Sequence, residues 1–360
     1  MALPAMTEEV ADAIMDWIDS DTEARDYGAE DGYYTALEPP YTAKNGPLES
    51  IEELLLVRGV TPELLFGLDD NHNGILDDSE SAAAGERGLE PDMALGWANY
   101  MTLWSAERNY NDEGLPRIDL NQEDLEVLYE ELSAVFNAEW ANFIVAMRQN
   151  GPFLGDEESE GGGLPGTLDL DQPASYSFDQ VLDLVDARVE VTYVDADEPV
   201  ILESPFRTQT LGLVFPLLLP NVTTVASDTI PGRININQCT RSMLLGIPGM
   251  DEATADEIIS RRDIVYDGSD PNRGLETWIL VERIVDLETM RQLLPFVNVG
   301  GDVYKGELVG YFEDGVASSR AEVVIDRTEA FPRIVFWRDK SHLPLGYQLE
   351  TLGLNFQATQ

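Results

Sequence analysis

Residues 69–80 read Asp69-Asp70-Asn71-His72-Asn73-Gly74-Ile75-Leu76-Asp77-Asp78-Ser79-Glu80. Side-chain oxygens stand at positions 1, 3, 5, 9 and 12 of this stretch, on Asp69, Asn71, Asn73, Asp77 and Glu80. Gly74 occupies position 6, where an EF-hand loop turns sharply, and Ile75 at position 7 offers a backbone carbonyl. Calcium is a hard cation that takes six to eight oxygens, and this spacing wraps them around one point. The expected ligands are therefore Asp69, Asn71, Asn73, Ile75, Asp77 and Glu80, with Ca2+ as cofactor. The competing reading is a plain acidic turn. Gly85 follows Glu80 closely, so the helix usual after such a loop is expected to be weak. One loop without a partner loop reads as a structural clip rather than a sensor.

Outward from the loop, the balance of charge is extreme. The 360 residues carry 22 Lys and Arg against 68 Asp and Glu, a formal charge of −46. Such a surface repels nucleic acid and anionic membranes and suits divalent cations, although salt adaptation yields the same balance. Cys239 is the single cysteine, so no internal disulfide is possible. His72 and His342 are the only histidines, which leaves a Ser-His-Asp relay or a His-based zinc site almost nothing to use. No apolar run reaches the roughly 18 residues of a spanning helix. Leu211 to Leu219 comes closest, and Pro216 interrupts it.

Two segments echo each other. Leu3-Pro4-Ala5-Met6-Thr7 and Ile247-Pro248-Gly249-Met250-Asp251 each predict a turn, an N-cap at Thr7 or Asp251, and an amphipathic helix. A helix over Cys239 to Leu245 precedes the second copy and completes a helix-hairpin-helix. The first copy has no room for such a helix, so further sequence is expected upstream. Asp19, Asp21, Glu30 and Asp31 form an acidic loop that either holds a second calcium or is a solvated turn. Ser50 to Glu53 has the capping-box form, and Thr61-Pro62-Glu63 opens a short helix. Met93, Trp97, Tyr100, Met101 and Trp104 are spaced for one helix face. Asn121 is expected to cap a single long helix carrying the core stripe Leu125 to Met147, ended by Gly151-Pro152. A short helix over Phe178 to Leu184 and a strand over Arg188 to Tyr193 follow. Tyr304, Leu308, Phe312, Val323 to Ile325 and Ile334 to Trp337 predict strands.

These signals predict an α+β chain. A helical domain with the EF-hand-like loop (1–154) precedes an acidic Gly-rich linker (155–172) and a mixed segment (173–232). A helix-hairpin-helix segment (233–298) and a C-terminal antiparallel β region (299–360) complete it.

Trp17-Ile18-Asp19-Ser20-Asp21, Gly28-Ala29-Glu30-Asp31, Pro40-Tyr41 and Ile51-Glu52-Glu53-Leu54 with Val57 and Gly59-Val60-Thr61 resemble the minor pseudopilin K family (GspK) of type II secretion systems. Ile234-Asn235-Ile236-Asn237 before the hairpin belongs to the same pattern. The resemblance implies a pilin-like fold with an inserted helical domain and a bound calcium. It implies a place at the pseudopilus tip beside other minor pseudopilins. It also implies a periplasmic protein anchored to the inner membrane by an N-terminal helix outside this chain. No family metal ligand is carried onto the 69–80 loop. Two other readings are a calcium-stabilised envelope or adhesion module and, with Arg241, Arg261 and Arg262 near the hairpin, a DNA binder. Asp251 in the turn and the net charge weigh against phosphate contact. No acid pair has the context of a catalytic one, so no enzyme is expected.

Overall fold

The computed structural model describes residues 3–89, 91–155, 166–262, 267–312, 318–344 and 346–347. Most of the expected linker, residues 156–165, lies outside them. The chain divides into two units. One comprises Met1–Ser105, Cys239–Met250 and Asp302–Gln360; the other comprises Ala106–Gln238 and Asp251–Gly301. The division passes between Met250 and Asp251, inside the expected hairpin.

In the first unit the opening helix is Glu8–Ile18. Thr7 caps it as expected, its hydroxyl accepting from Val10 N–H, and Glu8 and Glu9 favour the positive helix start. The helix buries Val10, Ala13 and Trp17 against Tyr34, Leu54, Val57, Leu65 and Trp97. Trp17 meets Tyr34 edge to face at 5.2 Å, and its indole N–H donates to Glu53 at 3.0 Å. That bond explains a departure at Ser50. Glu53 is taken up by Trp17, Lys44 and Glu49 N–H, so no capping box forms. Residues Ile51–Leu56 make a 3-10 helix without a side-chain cap. Thr61 does cap the helix Pro62–Phe66.

Two further sequence expectations fail in this unit, one through packing and one through capping. The spacing of Met93 to Trp104 does not produce one helix. The chain forms a short helix Pro91–Ala94 and a 3-10 turn Trp97–Asn99. Gly67 and Leu95 instead make a backbone bridge. Backbone contact there is so close that a Cβ on Gly67 would lie 2.1 Å from the Ala94 carbonyl oxygen. The helix after the calcium-type loop, in contrast, is well formed over Asp78–Arg87. Asp77 and Glu80 cap it reciprocally, which offsets the roughly 1 kcal/mol that Gly85 costs.

The C-terminal strands match expectation. Val303–Tyr311, Ser318–Asp326 and Arg333–Asp339 make an antiparallel sheet with Ser318–Asp326 in the middle. The register sets Val323 between Gly306 and Trp337, with an irregularity after Val324. Alternation then places Tyr304, Leu308, Val323, Ile325 and Trp337 on one face. Tyr304, Leu308, Ile325 and Trp337 of that face are exposed. The opposite face carries Glu307, Arg320 and Glu322, all sheltered from water. Helix Arg241–Leu245, capped by Thr240, also belongs to this unit.

The second unit is built around two helices where one was expected. They are Leu125–Val135 and Ala138–Asn150. Phe136 is extended, and Asn137 caps the second helix by accepting from Trp140 N–H at 2.9 Å. Asp124, not Asn121, caps the first. Asn121 is used elsewhere, bonding both the N–H and the carbonyl of Phe178. Most of the stripe is core: Leu128, Leu132, Phe143 and Ile144 pack with Val189, Leu202 and Phe206, whereas Val135 of the expected stripe is exposed. Val189 and Leu202 come from a hairpin of Arg188–Val191 and Val200–Glu203. The segment before it is a 3-10 turn, Val181–Leu184. Asp251 caps the helix Glu252–Arg261 as expected, accepting from Thr254 N–H at 2.7 Å.

Replacing Asn137 with Ala should therefore destabilise the chain by about 1 kcal/mol, the usual worth of an N-cap. Urea unfolding should show a lower midpoint with an unchanged slope. An unaffected midpoint would mean that Asn137 does not hold the break between the helices.

Candidate metal centre

The end of helix Glu8–Ile18 and the start of the short helix Asp31–Tyr34 bring acids together. Asp16 faces inward and is fully buried. Arg25 answers it, donating from its backbone N–H and, at 2.6 Å, from its guanidinium. The same guanidinium pairs with Asp19. These two hydrogen bonds, first to Asp19 and then to Asp16, raise the Arg25 pKa and keep it charged. Gly28 lies against Asp16, where a Cβ would come 1.8 Å from a carboxylate oxygen. Asp31 accepts from Ala43 N–H at 2.8 Å.

Glu30 is different. It is 7% exposed, and neither of its carboxylate oxygens has a hydrogen-bond partner. One oxygen of Asp19, also buried, is equally without a donor. Burial pushes the Glu30 carboxyl above its ordinary range, and the charges of Asp16, Asp19, Asp31 and Asp21 add to the shift. A buried carboxylate without a donor or cation is costly, so the arrangement calls for a positive charge.

Asp19, Asp21 and Glu30 place ligand oxygens within 4.8 Å of one another, the only such group of three among the described residues. That span is about twice a calcium–oxygen distance. All three donors are hard oxygens without histidine or cysteine, which fits calcium or magnesium and not zinc or copper. An ion held by these side chains would supply charge compensation and cross-link the end of one helix to the start of another.

The 69–80 loop closes on itself. Asp69 accepts from Asn73 N–H at 3.0 Å and Gly74 N–H at 2.8 Å. Glu80 accepts from Asp70 N–H at 3.0 Å and Asp77 N–H at 2.8 Å. Asn73 accepts from Ile75 N–H at 2.7 Å through its side-chain oxygen. Gly74 has φ +78°, the left-handed turn the pattern requires. His72 stacks on Phe66 at 3.9 Å, as its non-ligand position implies. The carboxylates of Asp69, Asp77 and Glu80 are not drawn within 4.8 Å of one another.

The loop has a spacing rule and Asp19 to Asp31 has none. The decisive property of Glu30, burial without a partner, has no signature in the sequence.

Two outcomes check the Asp19 centre. Calcium about 100-fold above its Kd should stabilise the wild type by about 2.7 kcal/mol and Glu30→Gln far less, read by melting with calcium or chelator. In chelator Glu30→Gln should melt higher than wild type at neutral pH, because it removes an uncompensated buried charge. The raised Glu30 pKa makes the ion-free fold lose stability as pH rises through that pKa. The gap between the two proteins should accordingly narrow as pH falls. Insensitivity of the wild type to calcium would remove the centre.

A family model described as "Type II secretion system (T2SS), protein K" matches residues 1–69. The match contains Asp19, Asp21 and Glu30 and stops at the first residue of the 69–80 loop. Type II secretion system protein K of Aeromonas hydrophila is 49% identical over 57 residues. The protein of the same name from Pectobacterium carotovorum subsp. carotovorum is 40% identical over 57 residues. Each alignment covers 16% of this chain and 17% of the relative. Over this N-terminal region the chain is similar to type II secretion system protein K, and it spans about a sixth of the length of the relatives it matches.

Proposed function

We propose that this chain is a non-enzymatic structural component of a type II secretion pseudopilus, set at its tip with other minor pseudopilins. The observation that carries the proposal is the family match over residues 1–69, which encloses the buried carboxylate centre. Calcium at Asp19, Asp21 and Glu30 would brace this region in place of a disulfide, since Cys239 has no second cysteine to join. A periplasmic position, with attachment to the inner membrane through an N-terminal helix, follows from the family. No described helix is long and apolar enough to cross a membrane. The exposed apolar face of the C-terminal sheet agrees with work in an assembly.

The DNA-binding alternative loses its cations. Arg261 pairs with Glu257 and lies 3.8 Å from Glu282. Arg262 donates to the Ile236 carbonyl at 3.2 Å. Asp251 holds its carboxylate over Thr254 N–H, and that bond keeps its pKa low and its charge in the turn.

The soluble regions of neighbouring minor pseudopilins should co-elute with this chain in calcium and separate in chelator. Glu30→Gln should weaken the complex even with calcium present. A chain that migrates alone with every such partner, and whose deletion leaves secretion intact, would overturn the proposal.

A further inference from the structure

All but the first residue of the 69–80 loop lies beyond the residues that the family model matches, and the loop's own hydrogen bonds account for all but one of its buried acceptors. Asp69 is 3% exposed, Asn71 5% and Glu80 6%. The carboxylate oxygens of Asp69 and Glu80 are filled by backbone N–H groups, as described above. The Asn71 side-chain oxygen is not: it is buried and has no donor. The other end of the same amide donates to Glu80 at 3.4 Å, which sets the orphan oxygen beside the Glu80 carboxylate. A self-contained turn explains the bonds to Asp69, Asp77 and Glu80 and leaves this oxygen without a reason. It stands at loop position 3, where a calcium ligand belongs.

The charges agree. Asp69, Asp77 and Glu80 have no cationic partner among the described residues. Two buried cations do lie next to the loop, Arg320 at 1% and Lys340 at 3% exposure. They turn to other groups. Glu307 accepts from Arg320 Nε at 2.9 Å and also pairs with Lys340, and Glu322 accepts from Lys340 at 3.1 Å. The wide setting of the three carboxylates suits a loop whose position 9 acts through a water.

What the two cations take from the loop is its backbone. Arg320 donates to the carbonyls of Asn71 at 2.5 Å and His72 at 3.1 Å, and Lys340 donates to His72 at 2.5 Å. Asn73 donates to the Gly346 carbonyl. The Asn71 side chain thus lies beside Glu80 inside the loop while the carbonyls of 71 and 72 hold the C-terminal sheet.

We infer that residues 69–80 form a second cation site, taking calcium on Asp69, Asn71, Asn73, Asp77, Glu80 and the Ile75 carbonyl, and that this ion fastens the sheet of residues 303–339 to the helical segment. The ion fixes the loop backbone, and the fixed carbonyls present a rigid seat to Arg320 and Lys340. This inference is independent of the secretion role.

The test titrates the full chain with calcium after chelator treatment, by calorimetry, in wild type, Asn71→Ala, Glu80→Gln and Asp19→Asn/Glu30→Gln. Glu80→Gln should lose one equivalent of calcium. Asn71→Ala leaves the helix cap intact and should weaken the same equivalent at least tenfold without lowering the melting temperature in chelator. The Asp19/Glu30 variant should keep that equivalent. In this variant calcium should slow amide exchange over 303–311, 318–326 and 333–339 at least tenfold. Stoichiometry unchanged by both Glu80→Gln and Asn71→Ala would overturn the site. Binding without slower exchange in the sheet would overturn the fastening. Both results are independent of whether pseudopilin partners associate.

Discussion

Glu30 sets the terms for the N-terminal region. Its carboxylate is closed off from water among Asp16, Asp19, Asp21 and Asp31, and it has no donor. Arg25, a cation at hand, is already engaged by Asp16 and Asp19. Every element nearby is held to this arrangement. Gly28 must be glycine because Asp16 occupies the space a side chain would need. Helix Glu8–Ile18 must stop at Asp19, whose extended backbone turns the chain back toward Arg25. A neutral glutamine at 30 would suit an ion-free protein better. The retention of a carboxylate there is intelligible if a cation completes the site.

The same shortage of cations shapes the C-terminal sheet. With 22 basic residues for 68 acids, few positive charges remain for internal use. Two of them, Arg320 and Lys340, are buried together around Glu307. Burial alone would raise the Glu307 carboxyl, but hydrogen bonds from Lys340, Tyr347 and Arg320 outweigh it and hold it below its ordinary range. The counterpart is Tyr347, which burial and its bond to Glu307 push up to about 12. The sheet therefore turns its charged face inward and leaves Tyr304, Leu308 and Trp337 in water, the reverse of the usual arrangement. Such an inversion costs little in specificity because each inner charge has a defined partner.

Local chemistry was legible in the sequence, and competition for partners was not. Thr7, Thr61 and Asp251 cap helices as read, because an N-cap needs only its own side chain and the next turn. The antiparallel strands from Val303 onward follow from alternation alone. Ser50 and Asn121 carry equally good capping signals, yet a distant residue decides each case. Glu53 goes to Trp17 and Lys44, and Asn121 goes to Phe178. The spacing from Met93 to Trp104 fits a helix, but the approach of Gly67 to Ala94 overrides it. At the candidate sites the ligand types at 69–80 were plain from spacing. The unpartnered oxygens of Glu30 and Asn71 became visible only when burial could be counted.

Those two orphan oxygens differ in a way that bears on what each ion would do. Glu30 is a charge, so an empty centre carries a standing electrostatic penalty that a proton can relieve. Asn71 is a neutral amide, and its unmet bond costs about 1–3 kcal/mol at any pH. The orphan group of the first centre can thus be relieved by a proton, and that of the second cannot. A chain of net charge −46 repels itself most where acids are buried together, and a divalent ion there both neutralises and cross-links. At residues 69–80 neutralisation matters less, since backbone amides already satisfy Asp69 and Glu80. There the ion would act chiefly by rigidity, holding the Asn71 and His72 carbonyls where Arg320 and Lys340 reach them.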